Sequence, residues 1–134
     1  MAAVDFLEIS DVVALHADQI DRYGGESGVR DLGLLESALT QPRAVFGGQT
    51  LHRDLFEMAA AYLFHVVKNH PFIDGNKRTG AVAALVFLDI NGLELDAPTG
   101  SLYDITIAVA SGHADKAAVA DFFRAHAHPT DSDA

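Results

Sequence analysis

Two apolar segments separated by only six residues set the strongest limit on how this chain can fold. Residues 53–69 carry Leu55, Ala59, Tyr62, Phe64 and Val66, which spread around most of a helical circumference rather than along one stripe. Residues 76–90 are similar, with an uninterrupted apolar run from Ala81 to Leu88. A helix that is apolar nearly all round must be buried on nearly all sides. Two such helices joined by so short a connection pack against each other, and the rest of the chain has to cover them. His70-Pro71 ends the first, because proline disfavours helical geometry in the residue before it; Asn91-Gly92 ends the second.

The flanking segments supply that cover. Ser10 is the expected N-cap of a first helix, with Asp11 suited to its positive end. Val12, Leu15, Gln19 and Ile20 fall on one face, and Gly24-Gly25 closes it. Asp31 is expected to cap a second helix running to about residue 39, with Leu32, Leu35 and Leu39 facing inward, and Gln41-Pro42 stops it. Residues 42–52 form a loop or small hairpin turning at Gly47-Gly48. Thr99 and Asp115 are placed to cap a fifth helix to about 111 and a sixth to about 127. Residues 4–9 and 93–95 suggest extended segments. The expected fold class is therefore all-α: a compact bundle of about six helices with a possible small β-hairpin flap. A single domain is expected over residues 1–128, with 129–134 a disordered polar tail.

At 134 residues the chain has room for one core and no second domain. No apolar run approaches the ~20 residues of a membrane span, and the start lacks the pattern of a secretory signal, so a cytoplasmic protein is expected. The chain has no cysteine, which excludes disulfides, thiolate metal sites and a cysteine nucleophile. Nine Lys plus Arg against nineteen Asp plus Glu give a net charge of −10, which disfavours direct nucleic-acid binding and a ribonuclease. Any anion must be met by a local cluster, and Lys68, Lys77 and Arg78 are the candidates.

The start of the helix at 76 is unusual. Lys77 and Arg78 sit in its first turn, where the helix dipole is already positive and Asp or Glu is the normal choice. Something negative has to balance them. A helix N-terminus offers free backbone N–H groups suited to phosphate. Gly75 permits close approach, Asn76 adds a side-chain donor, and Arg78 adds a two-pronged cation. Asp74, beside a polyphosphate, suits a shared Mg²⁺. His70, four residues earlier, can accept a hydroxyl proton. A lone helix-end histidine more often serves the dipole, and a lone Asp more often serves as a cap. Their concurrence within nine residues points instead to positioned phosphoryl or nucleotidyl transfer. Phe72 is expected to anchor the loop in the core. The other histidines show no zinc spacing, and no P-loop is present.

The run His70-Pro71-Phe72-Ile73-Asp74-Gly75-Asn76-Lys77-Arg78 resembles the signature of the Fic/Doc family: His-Pro-Phe, any residue, Asp or Glu, Gly-Asn, Gly or Lys, then Arg. Residues 30–39 and 42–48 resemble the region that precedes the central helices in that family. The resemblance implies His70 as general base, Asp74 as the Mg²⁺ ligand, Gly75, Asn76 and Lys77 as backbone donors to phosphate, and Arg78 as a phosphate clamp. It implies that the loop at 42–49 is a flap holding the target. Lys77 is similar to the Doc branch, which implies transfer of the γ-phosphate of ATP to a threonine of elongation factor Tu and arrest of translation. Glycine at that position accompanies AMP transfer, and Pro71 and Gly75 follow the Fic form. Inhibitory helices in the family carry Ser or Thr, three residues, then Glu followed by Gly or Asn. Here Glu8, Glu26, Glu36, Glu57 and Glu94 are followed by neither. Restraint is then expected in trans, from a Phd-like antitoxin segment that folds on binding. An AMP transferase and a binding module without catalysis are the alternatives.

Overall fold

A computed structural model describes residues 3–130. Six helices account for most of it: α1 (Ile9–Tyr23), α2 (Leu32–Thr40), α3 (Leu55–Asn69), α4 (Asn76–Ile90), α5 (Ser101–Ala110) and α6 (Lys116–His126). Two small antiparallel ribbons complete it, β1 (Val45–Phe46) with β2 (Gln49–Thr50), and β3 (Leu93–Leu95) with β4 (Ala127–Pro129). The expected all-α bundle with a hairpin flap is the observed architecture. Among the described residues no helix is long and apolar enough to cross a membrane.

The centre is α3. It packs along α4 and is covered by α2, α5 and α6, while α1 lies against α4. Residues Met58 to Leu63 are all buried, as are Val66 and Val67, so α3 is enclosed on nearly every side as its composition demands. Contact between α3 and α4 is close because Gly80 has no side chain. A Cβ there would lie 3.0 Å from Val67 Cγ2 and 3.1 Å from the Leu63 carbonyl. Tyr62 and Phe87 meet across the same interface with ring centroids 5.0 Å apart. Full burial of a ring of this size is worth roughly 2–3 kcal/mol.

Caps fix most boundaries. The carboxylates of Asp31, Asp54 and Asp115 accept the backbone N–H of Leu34, Glu57 and Ala118 at 3.0, 2.8 and 2.8 Å. Asp54 therefore caps α3, which begins at Leu55 rather than at about Arg53. Ser10 does not cap α1: the Asp11 carboxylate accepts the Glu8 N–H at 2.8 Å, which makes Glu8 the cap and begins the helix two residues earlier. Gly100, rather than Thr99, precedes α5. Leu32, expected to face inward, is 56% exposed: it shares the helical face of Leu35 and Leu39 but is the first residue of α2, at the open end of that face.

Residues 4–8 form an extended lead-in rather than a strand. Asn91 ties them to the end of α4, accepting the Asp5 N–H at 2.9 Å and donating to the Asp5 carbonyl at 2.8 Å. At the other end, Pro129 belongs to β4 and pairs with Leu93, and the Thr130 N–H donates to the Gly92 carbonyl. The expected tail therefore does not begin at 129; residues 131–134 lie outside the described residues. Gly47 and Gly48, with φ of 60° and 81°, make the tight turn of the β1–β2 hairpin. Val45 and Phe46 on that hairpin are 63% and 83% exposed.

Candidate active site

The loop between α3 and α4 turns sharply at His70, whose φ of 54° and ψ of 53° place it in the left-handed region. It is the one non-glycine with positive φ among the described residues. For a side chain of this size the conformation is strained, and the surroundings must hold it. They do so from the α1–α2 loop. Arg30 donates through Nε to the His70 carbonyl at 2.8 Å and through a terminal nitrogen to the Asn69 carbonyl at 3.2 Å. The Arg30 and Asp31 N–H groups both donate to the Pro71 carbonyl, and the Ile73 N–H donates to the Gly28 carbonyl. Two loops that would each be irregular alone thus satisfy one another's backbone groups.

Beneath the loop, Phe72 is fully buried and the ring of His16 lies flat on it, centroids 3.9 Å apart. Nε2 of His16 is 2.8 Å from the Asp74 carbonyl. A carbonyl only accepts, so this nitrogen carries the proton. Gly75 follows with φ of 75°, and a Cβ there would press to 3.1 Å on Ile20. Glycine is therefore required by conformation and by packing together.

Asn76 departs from the role its position suggested. Its side chain is buried, accepting the Phe72 N–H at 2.9 Å and donating to the Phe72 carbonyl at 3.0 Å. Its amide is consumed in holding the loop, which leaves the backbone N–H of Asn76 as its means of meeting an anion. Asp74 is exposed. One oxygen accepts the Gly75 N–H at 2.9 Å and the other the Glu26 N–H at 3.3 Å. These two backbone donors, the Gly75 one first, hold its carboxyl below the usual carboxylate range. Each oxygen keeps a lone pair, so Asp74 fits a hard cation shared with a ligand. Among the described residues no group of three or more acidic or histidine side chains is placed to hold a metal unaided.

His70, Asp74, Gly75, Asn76, Lys77 and Arg78 all line one pocket of about 530 Å³. Arg78 is steered there by donating to the Gly24 carbonyl at 2.9 Å and lying over the Tyr23 ring. Lys68, grouped with these cations from sequence, does not line the pocket. The opposite wall is apolar, made by Ala81 and Val82 of α4 and by Leu102, Tyr103 and Ile107 of α5. A pocket with cations and free helix-start N–H groups at one end and an apolar wall at the other suits a ligand with a phosphate chain and a flat organic group. The α5 wall, Arg30 and His16 were missed in the sequence. His16 alone left a trace there, as a polar residue between Val12 and Gln19 on the buried face of α1.

With this geometry in place, the comparisons with known proteins are decisive for the class. Residues 6–88 match the Fic/DOC family, and the chain belongs to that family. Among its relatives is Protein kinase doc of Escherichia phage P1, 38% identical over 115 residues, covering 85% of this chain and 89% of that one. Another is Toxin Doc of Mycolicibacterium smegmatis (strain ATCC 700084 / mc(2)155), 47% identical over 75 residues, which is 56% of this chain and 58% of that one.

Proposed function

We propose that this chain is the toxin of a toxin–antitoxin pair, a cytoplasmic phosphotransferase that moves the γ-phosphate of ATP to a threonine hydroxyl of a protein, elongation factor Tu, and so arrests translation. The observation that carries this reading is the convergence, in one pocket, of the exposed imidazole of His70 and the cationic, amide-rich start of α4. In the proposed reaction the target hydroxyl oxygen attacks the γ-phosphorus, the bond from that phosphorus to the β-phosphate oxygen breaks, and ADP leaves. His70 takes the hydroxyl proton. The N–H groups of Asn76 and Lys77 and the Arg78 guanidinium hold phosphate oxygens as negative charge is redistributed, while the Gly75 N–H, expected to join them, is taken by the Asp74 carboxylate. Asp74 would hold Mg²⁺, which would supply positive charge against the phosphates. The β1–β2 hairpin, with Phe46 displayed, is the proposed clamp for an extended target segment, and a Phd-like antitoxin would act in trans.

Transfer of phosphate rather than AMP is favoured by Lys77 and by the kinase name that the phage relative bears. Gly75 carries little weight for AMP transfer, because its φ and its contact with Ile20 already require glycine. The deciding experiment is intact-mass spectrometry of elongation factor Tu after incubation with the protein, ATP and Mg²⁺. A gain of about 80 Da is expected, the mass of one phosphoryl group in this reaction class. A gain of about 329 Da would establish AMP transfer instead, and no gain, with activity absent on other protein targets too, would leave a binding module.

A further inference from the structure

Three polar side chains in the wall of the main pocket are buried: Gln19 of α1, Asn76 of α4 and Thr106 of α5, at 8%, 4% and 4% exposure. Two of them are already matched. The Asn76 amide is spent on the Phe72 backbone, and the Thr106 hydroxyl donates to the Leu102 carbonyl at 2.7 Å. Gln19 differs: its carboxamide has no hydrogen-bond partner among the described residues. Nor is it shut away, since the sealed polar atoms without partners are those of His52 and Thr79. A buried amide left without protein partners is costly, and a leucine would fill the same place on the helix without that cost. Its polar atoms therefore open onto the pocket and onto what the pocket binds.

Its neighbours on α1 set its position. His16, one turn earlier, bonds to the Asp74 carbonyl and lies against Gly75, and Tyr23, one turn later, carries the Arg78 guanidinium on its ring. Gln19 stands between them on the helix, and Ala81 and Val82 of α4 line the same pocket with the apolar residues of α5.

The chemistry of the free amide narrows its ligand. A carboxamide offers two N–H donors and an acceptor oxygen in one plane. A phosphate offers acceptors only and would leave that oxygen unmatched, and the pocket already meets phosphate with Arg78 and the start of α4. The edge of an adenine ring sets an amino donor beside a ring-nitrogen acceptor, which pairs with both halves of the amide. The corresponding edge of guanine has two acceptors and pairs with one half. Resting on the reading of this pocket as a site for ATP, we infer that Gln19 is the residue that reads the nucleobase. Its amide bonds to the adenine edge while the ring packs on Val82, Leu102 and Ile107.

Calorimetric titration of the full chain with ADP, GDP and pyrophosphate in turn, each with Mg²⁺, tests this beside the same titrations of Gln19→Leu. ADP is expected to bind more tightly than GDP. Gln19→Leu should weaken ADP by about tenfold, the scale of two neutral hydrogen bonds, and move GDP and pyrophosphate far less. If Gln19→Leu loses its helical circular dichroism, Gln19→Glu keeps the shape but only accepts, and it should likewise abolish the preference for ADP over GDP. ADP affinity unmoved in the folded variant would overturn the assignment, and so would an equal loss for ADP and GDP, which would put the amide on the ribose. Failure of the unaltered chain to bind any nucleotide would remove the inference together with the nucleotide reading of the pocket; tight ADP binding indifferent to Gln19 would remove the inference alone.

Discussion

The ring of His16 lies on the ring of Phe72 with planes 6° apart, and its Nε2 proton is donated to the Asp74 carbonyl at 2.8 Å. One residue of α1 thus fixes both the buried anchor of the loop and the backbone of its exposed carboxylate. Two replacements separate these roles. His16→Phe keeps the stack and loses the donor; His16→Gln keeps a donor and loses the stack. Each is expected to lower the transfer rate by about tenfold or more while the chain stays folded, since a misplacement on the order of 1 Å can cost about a hundredfold. Rates beside circular dichroism check this; unchanged rates in both variants would show the contact to be dispensable.

Arg30 is expected to act as a positioning residue for His70. Its guanidinium spans two consecutive carbonyls, Asn69 and His70, which a lysine ammonium cannot do with the same fork. Arg30→Lys should therefore behave like Arg30→Met, reducing kcat by about ten- to a hundredfold with little change in KM for ATP. Full rescue by lysine would mean that charge, not geometry, is what matters.

Gly80→Ala tests the helix interface by the sign of its effect. In a free helix the change stabilises by about 1 kcal/mol. Here the new methyl meets the Leu63 carbonyl at 3.1 Å and Val67 Cγ2 at 3.0 Å, and overpacking of this kind costs about 1–3 kcal/mol. A net loss in urea denaturation is expected, and a gain would show that α3 and α4 can separate freely.

His65 gives a pH dependence. Its folded value is about 4 against an ordinary 6.5, chiefly through burial, so the folded chain refuses a proton that the unfolded chain accepts. Stability is then greatest above 6.5 for this group, falls as pH drops from 6.5 towards 4, and loses nothing more below that. Denaturation midpoints across this window should flatten in His65→Asn. An equal slope in the variant would assign the effect to other groups.

The nine residues from His70 to Arg78 made the place of the candidate site readable, because cations at the start of a helix conflict with its dipole unless an anion is expected, and all but Pro71, Phe72 and Ile73 line one pocket. The helices were readable too, from caps such as Asp31 and Asp115 and from the all-round apolar surface of α3 and α4. Errors fell where a local signal was ambiguous: Ser10 and Glu8 both precede a plausible first turn, and Asp11 decided between them by reaching back to Glu8. Asn76 was readable as polar but not as buried, because the donor and acceptor it satisfies belong to the backbone of Phe72.

By itself the sequence determined the class of fold, the central helix pair and the loop at its hinge, since periodicity, capping and dipole effects act between residues close together along the chain. Tertiary structure alone decided what holds and completes that loop. Arg30, His16 and the α5 wall reach it from 40, 58 and more than 20 residues away, and their meeting depends on how α1, α2 and α5 pack around α3 and α4. Such contacts leave no periodic signal, because packing and hydrogen bonding act through space rather than along the chain.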